Sequence, residues 1–253
     1  MPNLRYIPMR AARHFMPDAL ARVFLLNRFI IRPSLETSSP NSAVERYRAA
    51  LAEEGVTIKD KRVMVFGYGG KSEIGSAIMQ GGAREVVLVE RPGLALEPNA
   101  ALDPEKIFRL HQDIQSLDEK ELQPVDVVVT HSVFEHLTDA SGIAAALAHF
   151  TKPGGCQLHY IDLRDHYFRY PFEMLKYSDK VWKFWLNPTS NLNRLRLFDY
   201  ERIFKQHFRN VKISVLERNI DEFMKAKSAI QPQFLSGNDE QDAVTLIRVF
   251  ARS

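Results

Sequence analysis

The segment YIDLRDHYF places two carboxylates and an imidazole within five residues, at Asp162, Asp165 and His166. Neutral imidazoles and ionised carboxylates are the usual groups that remove a proton from a reacting hydroxyl or amine. Asp162 and His166 rank first as proton acceptors because they leave a predicted strand in the direction of an aromatic-rich segment. His136, in the segment HSVFEHLTD, is a third candidate. Glu135 and His136 fit equally well as local hydrogen-bonding groups at the start of a helix.

The same side chains could also be interpreted as metal ligands. Two sets come into question, namely His159 with Asp162, Asp165 and His166, and His131 with Glu135 and His136. Their spacings match no standard zinc pattern. His159 is typical of a histidine hydrogen-bonded inside the core. The sequence therefore predicts no metal ligands.

A glycine turn and an acid suggest a second kind of chemistry, the binding of a nucleoside. The run Val63–Phe66 is typical of a strand buried on both faces. Gly67, Gly69 and Gly70 follow, where a chain turning into a helix needs positive φ or room for a ligand. Glu90 ends the next predicted strand, 23 residues beyond Gly67, where nucleotide-binding α/β domains place the acid that accepts ribose hydroxyls. This order predicts a site for an adenosine-like ligand.

The elements around these residues predict a doubly wound, Rossmann-like α/β fold. Five strands separated by helices give a parallel sheet, and two further strands near the C-terminus form an antiparallel pair at its edge. The predicted strands are Val63–Phe66, Glu85–Val89, Ile107–His111, Val125–Thr130, Gln157–Leu163, Val211–Glu217 and Val244–Ala251. Because ligands bind beyond the carboxyl ends of parallel strands, all the residues named above converge on one edge.

Three regions are distinguished by composition. Residues 1–60 form an N-terminal helical extension, residues 61–253 the catalytic domain, and residues 164–198 a cap inserted in it. The cap is rich in aromatic and basic residues. Arg194 and Arg196, with Asn193, are expected to clamp an anionic acceptor, or equally to form a basic face in solvent, and Asp165 is also expected to bind the acceptor. A capping box, Ser42-x-x-Glu45, predicts the start of the helix before the first strand.

Residues 1–32 contain six arginines and one acid, Asp18. Asp18 is predicted to cap a helix ending near Ile31, before Pro33. This segment either contacts a membrane surface or a protein partner, or packs across the core with its arginines in solvent. The helix is too short to span a bilayer.

Bulk composition excludes several classes of protein. A net charge of +3 with a pI near 8.9 is too mild to indicate nucleic-acid binding. The single cysteine, Cys156, excludes an internal disulfide framework, fits a reducing compartment and is expected to be buried and inert. No secretory signal is visible. The expected location is cytoplasmic.

From about residue 63 to residue 163 the sequence resembles the class I S-adenosylmethionine-dependent methyltransferases. VMVFGYGG stands where that family has its glycine-rich cofactor loop, and VDVVVTHSVFEHLTD followed by KPGG resembles its fourth-strand segment and the turn before the fifth strand. YIDLRDHYF and NLNRLRLFDY look like bacterial members that modify sugars or other small secondary metabolites. The resemblance implies that S-adenosylmethionine is bound by Gly67, Tyr68, Gly69, Lys71, Glu90, Asp113, Ile114 and His131. Within this set, Glu90 would bind the ribose, Asp113-Ile114 the adenine, and His131 would line the methionine end.

Two positions depart from the family pattern. Val65 stands where an acid is usual, and Lys71 where a third glycine is common. Lys71 could instead approach the carboxylate of the cofactor. The departures support one alternative, a non-catalytic partner or scaffold that keeps the fold.

The function expected from the resemblance is methyl transfer to a small molecule, at a hydroxyl more than at an amine. A His or Asp base would remove the acceptor proton while the methyl group is displaced in line. An NADPH-dependent reductase is less consistent with the sequence, because no tyrosine is followed four residues later by lysine.

Overall fold

The computed structural model describes residues 5–17, 20, 39–92, 106–166 and 169–253. Its seven strands are β1 (Arg62–Phe66), β2 (Glu85–Val89), β3 (Ile107–Leu110), β4 (Val125–His131), β5 (Thr151–Asp162), β6 (Asn210–Arg218) and β7 (Val244–Arg252). They form one sheet in the order β3-β2-β1-β4-β5-β7-β6. Strands β1 to β5 are parallel, and β7 runs antiparallel to both β5 and β6. The predicted fold class is confirmed, including the antiparallel last strand.

Helices cover both faces of this sheet. The α-helices of the described residues are α1 (Tyr6–His14), α2 (Pro40–Glu53), α3 (Glu73–Gln80), α4 (Ala140–His149), α5 (Asp179–Val181), α6 (Leu197–His207), α7 (Ile220–Ala226) and α8 (Asp239–Asp242), of which α2, α3, α4 and α6 pack on the sheet. Successive side chains of β1 point to opposite faces. Val63 and Val65 pack in the layer of α2 and α3, whereas Met64 and Phe66 pack in the layer of α4 and α6. Burial on both faces explains why the strand is continuously apolar.

A third apolar cluster lies beyond the end of β5. Phe172, Met174, Leu175, Trp182 and Leu186 of the cap pack there with Phe223 and Phe234 from the segment between β6 and β7. The aromatic segment therefore contributes to a small apolar core of its own above the strand ends. The backbone of Asp165 continues into it, since its N–H bonds to the carbonyl oxygen of Pro171 at 2.9 Å.

Several predicted element boundaries were wrong. Helix α2 begins at Pro40 rather than at Ser42, because proline at the first helical position already has helical φ. The capping box does not form, and Ser42 is hydrogen-bonded to Ser39 instead. Strand β5 begins at Thr151 because the turn Lys152–Gly155 is included in it, where the pairing with β4 shifts register.

The structure contains an N-terminal helix that precedes the predicted one. Helix α1 spans Tyr6–His14 and packs against the cap, where Tyr6 stacks on Tyr177 with ring centroids 5.8 Å apart. The predicted helix from Asp18 to Ile31 lies outside the described residues apart from Leu20, as does most of the predicted loop from residue 91 to 104. Among the described residues, no helix is both long enough and apolar enough to cross a membrane.

Candidate functional site

The glycine turn after β1 has the predicted conformation. Gly67, Gly69 and Gly70 all have positive φ, between 74° and 76°, which only glycine adopts without strain. Gly67 is also sterically confined, because a Cβ there would lie 2.5 Å from a methyl group of Val133. The turn after β1 therefore touches the loop after β4.

Glu90 lies against this turn. Its Oε2 accepts a hydrogen bond from the Gly69 amide at 2.9 Å, and its Oε1 accepts one from the Arg91 amide at 3.0 Å. The side chain is 7% exposed, and burial raises the pKa of its carboxyl above the ordinary value. An acid at the carboxyl end of β2 is thus held beside the glycine backbone, as the sequence predicts.

The other predicted cofactor-binding residues differ from one another in burial and in their hydrogen-bond partners. The Tyr68 ring is buried in the α2/α3 layer and its hydroxyl lies 2.6 Å from Nε2 of His111, so the residue borders the turn mainly through its backbone. Lys71 is half-buried at the end of the turn. Asp113 is exposed and accepts a hydrogen bond from the Gln115 amide, whereas the Ile114 side chain is buried in the opposite layer.

His131 ends β4, next to the two loops. Its Nε2 lies 3.3 Å from the guanidinium of Arg46, and its ring lies 5.5 Å from that of Tyr160. Burial, with a smaller contribution from Arg46, lowers the pKa of His131 to about 4. The imidazole is therefore neutral at physiological pH and presents a lone pair rather than a charge.

The three predicted proton acceptors come together beyond β4 and β5. The rings of His136 and His166 are 4.9 Å apart and roughly perpendicular. Asp162 is close enough to act electrostatically on His136 and Glu135. The Asp162 carboxylate makes a bidentate ion pair with Arg164, with Arg164 nitrogens at 2.8 and 2.9 Å. A neutral imidazole is consequently the better placed base.

Burial controls the protonation of this cluster, which we call the strand-end cluster (Glu135, His136, Asp162 and His166). Burial lowers the pKa of His136, and lowers that of His166 well below its ordinary value with a further contribution from His136. Burial, together with Asp162, raises the pKa of Glu135 well above its ordinary value. Among the described residues, neither carboxylate oxygen of Glu135 has a hydrogen-bond partner of good geometry, and the Ser132 side chain and the Asp162 backbone, which lie close by, lower its pKa less than burial and Asp162 raise it.

Three asparagines of the cap hold the turn that carries Glu135 and His136. The side-chain Nδ2 of Asn193 donates hydrogen bonds to the carbonyl oxygens of Phe134 and Leu137, at 2.7 and 3.1 Å. The backbone N–H of Asn193 donates to the carbonyl oxygen of Glu135. Asn191 and Asn187 extend this arrangement through hydrogen bonds to His136 and to each other. The cap therefore fixes part of the site. The sequence signal for these asparagines is the Asn-x-Asn of NLNRL, of which Asn193 was expected to help clamp an anionic acceptor and instead holds the turn after β4.

The three predicted acceptor-binding residues are placed differently. Asp165 is fully buried and accepts hydrogen bonds from Tyr6 and Arg10 of α1. The donors of Arg194 reach Met174 and Tyr177 carbonyl oxygens and Asp179, while those of Arg196 reach the carbonyl oxygens of Leu163, Asp242 and Val244. Burial lowers the pKa of both arginines to about 10. The structure does not bring these residues together with the strand-end cluster as an exposed clamp. They join α1, the cap and the sheet.

Two other residues behave as predicted. His159 is buried and bridges Thr130 and Gln157, with both distances 2.9 Å, and burial lowers its pKa to about 3. Cys156 is a buried free cysteine, and burial raises its pKa to about 11. Both are core residues of β5.

Comparison with known proteins gives the fold and little at the sequence level. No family profile matches the chain, and no curated protein sequence is similar to it. Among solved structures, a Galdieria sulphuraria protein described as a candidate sarcosine dimethylglycine methyltransferase is 13% identical, with a TM-score of 0.54 over 83% of this chain and 85% of that one. Haemonchus contortus phosphoethanolamine N-methyltransferase 2, in complex with S-adenosyl-L-methionine, is 15% identical, with a TM-score of 0.52. The match covers 82% of this chain and 52% of that one.

A third similar structure is a Haloferax volcanii candidate methyltransferase in complex with the Trm112 methyltransferase activator. It is 14% identical, with a TM-score of 0.50 over 87% of this chain and 99% of that one. At these identities the likeness establishes the fold alone. The chain shares the fold of S-adenosylmethionine-dependent methyltransferases.

Proposed function

We propose that this chain is an S-adenosylmethionine-dependent methyltransferase that acts on a small-molecule acceptor. The observation that carries the proposal is the contact between Glu90 and the Gly69 amide at the carboxyl edge of a sheet with this fold. The names of two similar structures, which specify a sarcosine dimethylglycine and a phosphoethanolamine methyltransferase, support a small acceptor.

The residues of the glycine turn fit S-adenosylmethionine. The turn backbone carries no side chains at Gly67, Gly69 and Gly70, and at Gly67 an added Cβ would collide with Val133. Glu90 has two carboxylate oxygens at a position suited to ribose hydroxyls. We assign cofactor binding to Gly67, Tyr68, Gly69, Lys71, Glu90, Asp113, Ile114 and His131. When bound, S-adenosylmethionine would supply an electrophilic methyl group at a sulfonium centre.

The strand-end cluster is the proposed place of acceptor binding. Burial keeps the pKa of both His136 and His166 below the ordinary value, so both imidazoles are neutral. A hydroxyl bound in the cluster would therefore lie next to neutral imidazoles. A neutral imidazole accepts the proton as the oxygen forms its new bond to carbon. For this reason we propose a hydroxyl acceptor over an amine. Asp162 lies close enough to His136 to offset part of the charge of its imidazolium form.

The roles of Asp165, Arg194 and Arg196 follow from their partners. Their polar atoms hold α1 and the cap over the strand ends, and we propose that they shape the acceptor pocket indirectly. The cap then excludes water from the reaction.

One observation supports a second candidate, a non-catalytic protein of the same fold. Val65, where the family usually has an acid, is fully buried in the α2/α3 layer. This position therefore provides no polar group for the methionine end of the cofactor. A scaffold that has lost cofactor binding would tolerate such a change.

Isothermal titration with S-adenosylmethionine, its demethylated product and NADPH tests the proposal. We expect micromolar affinity for the first two ligands, a loss of at least about 10-fold in Glu90→Ala, and no change in the exposed control Glu201→Ala. If the wild-type protein binds neither S-adenosylmethionine nor its demethylated product, the methyltransferase proposal is wrong and the non-catalytic scaffold is favoured. Binding of NADPH alone would indicate a reductase. An acceptor screen with hydroxyl and amine compounds follows a positive result.

A further inference from the structure

Three side chains of the strand-end cluster combine two imidazoles with one carboxylate. One ligand atom from each of Glu135, His136 and His166 lies within 4.8 Å of the others. The set takes members from both groups that the sequence suggested separately, because the loop after β4 and the end of β5 meet at one edge. We propose that these three side chains bind a divalent transition metal ion beside the acceptor position.

The orientation of His136 is the first argument. Its Nδ1 lies 2.7 Å from the carbonyl oxygen of Asn191 and 3.0 Å from that of Ser190. Carbonyl oxygens only accept hydrogen bonds, so Nδ1 carries the proton and Nε2 presents its lone pair to the cluster. Metal-binding histidines are typically oriented in this way by a carbonyl oxygen on the other ring nitrogen.

The carboxylate of Glu135 is the second, independent argument. The residue is 3% exposed, and in the described part of the chain neither of its oxygens has a hydrogen-bond partner of good geometry, the nearest polar groups being the Ser132 side chain and the Asp162 backbone. A buried carboxylate without such partners is costly, and buried charges are normally paired or coordinate metals. Arg164 is close enough to interact electrostatically with Glu135, but its guanidinium is engaged in the bidentate ion pair with Asp162. A cation bound between Glu135 and the two imidazoles would remove the cost.

The donor set indicates the kind of metal. Two imidazoles with one carboxylate suit Zn²⁺, Fe²⁺, Mn²⁺ or Co²⁺ better than Mg²⁺ or Ca²⁺, which prefer oxygen ligands throughout. Ligand atoms about 2.1 Å from a tetrahedral ion are about 3.4 Å apart, so binding requires the three side chains to draw together slightly. Three protein ligands leave at least one position open.

The open position gives the metal its role, and this part of the inference rests on the proposed function. An acceptor hydroxyl bound there would lose its proton to solvent more readily, since a bound cation stabilises the oxyanion. With metal bound, the lone pairs of His136 and His166 are used in coordination and these residues act as ligands. In the metal-free protein the proposed function uses them as bases.

Titration of the purified full chain with Co²⁺ tests the site directly. The protein is prepared without a histidine tag and freed of metal by a chelator, and visible absorption reports coordination by nitrogen. We expect one Co²⁺ per chain, displaced by Zn²⁺. Glu135→Gln and His166→Asn should each weaken Co²⁺ binding by at least about 100-fold, more than loss of an outer partner does. His149→Asn, an exposed histidine on α4, should leave the affinity unchanged.

The outcomes separate this inference from the proposed function. Circular dichroism and titration with S-adenosylmethionine show whether each variant is folded, since the glycine turn and Glu90 make no use of the three ligands. Co²⁺ binding lost in both variants with cofactor binding retained supports the site. Absence of Co²⁺ binding by the wild-type chain, or binding unchanged in both variants, overturns it. If only S-adenosylmethionine fails to bind, the metal site stands and the methyltransferase proposal falls.

Discussion

Asn191 and His136 hold each other through a reciprocal pair of polar contacts. Nδ1 of His136 lies 2.7 Å from the carbonyl oxygen of Asn191, and Nδ2 of Asn191 donates to the carbonyl oxygen of His136 at 2.9 Å. Asn191 has a φ of 57°, which asparagine tolerates better than most residues. A cap residue in a left-handed conformation therefore sets the direction of an imidazole at the end of β4.

Replacing Asn191 by glycine tests this relationship. Asn191→Gly keeps the positive φ at little cost but removes the bond from Nδ2, so the turn carrying His136 is less well fixed. We expect Co²⁺ affinity to fall by about 10-fold, as for loss of an outer partner of a metal ligand. Affinity for S-adenosylmethionine should stay within about twofold because Glu90 is untouched.

The exposed Asn210→Ala variant on β6 serves as the control for Asn191→Gly, and it should alter neither affinity. If Asn191→Gly binds Co²⁺ as tightly as the wild type, the cap does not position His136.

The sequence was sufficient to predict the strands of the sheet, but not the hydrogen-bond partners of the site residues. Apolar strands and glycine turns are local signals, and they placed β1, β2 and Glu90 correctly. The bond between Asp165 and Arg10 joins residues 155 positions apart, which no local pattern reveals. Arg196 has a basic side chain but is 1% exposed, since three carbonyl oxygens replace water around it. Long-range hydrogen bonding, rather than residue type, decided these roles.

The same limit explains the metal ligands. Glu135 and His136 are adjacent, but His166 is 30 positions away and lies beyond a different strand. Spacing patterns detect ligands that share one helix or turn. The strand-end cluster is formed by the order of strands in the sheet, which places the ends of β4 and β5 side by side.

Glu90 should make the stability of the chain depend on pH. Because burial raises the pKa of Glu90 in the folded state, its contribution to stability is fully present below the ordinary value of 4.5 and is lost as the pH rises through the raised value. Glu90→Gln does not ionise. We therefore expect the Tm of the variant, relative to wild type, to be higher at pH 8 than at pH 4, while cofactor affinity is reduced.

The measurement for Glu90→Gln is thermal unfolding without ligand at both pH values, with the exposed Glu201→Gln as control. A Tm difference that is the same at pH 4 and pH 8 would show that Glu90 is solvated in the folded chain.

The buried pair between Arg10 and Asp165 should attach α1 to the start of the cap. The two side chains are 2% and 0% exposed, and Arg10 also lies over the Trp182 ring at 5.3 Å. Removing one member leaves the other as a buried charge, which typically costs about 3–5 kcal/mol. Arg10→Met is expected to lower the free energy of unfolding by this amount in urea denaturation.

Arg48→Ala provides the comparison for Arg10→Met, because its ion pair with Glu45 is exposed, at 50% and 71%. Exposed pairs contribute about 0–1 kcal/mol. Equal effects of the two substitutions would mean that α1 separates readily from the cap.

Gly67→Ala should damage both the fold and cofactor binding. The new Cβ would meet Val133 at 2.5 and 2.9 Å in a residue whose φ is 75°, so steric overlap adds to backbone strain. Gly154→Ala measures backbone strain without steric overlap, since Gly154 has a φ of 78° and no neighbouring atom within 4 Å of an added Cβ. We expect about 1–2 kcal/mol of destabilisation for Gly154→Ala and clearly more for Gly67→Ala, measured by urea denaturation.

The double variant Gly67→Ala/Val133→Ala separates crowding from strain. Truncating Val133 removes the two methyl groups that the new Cβ would meet most closely and leaves the Val133 Cβ at 3.3 Å, so stability should recover toward that of Gly154→Ala. Affinity for S-adenosylmethionine should remain low, because the added methyl group still occupies space next to the backbone of the turn. Recovery of both quantities would mean that only the contact with Val133 requires a glycine, and that the ligand does not approach the turn at this residue.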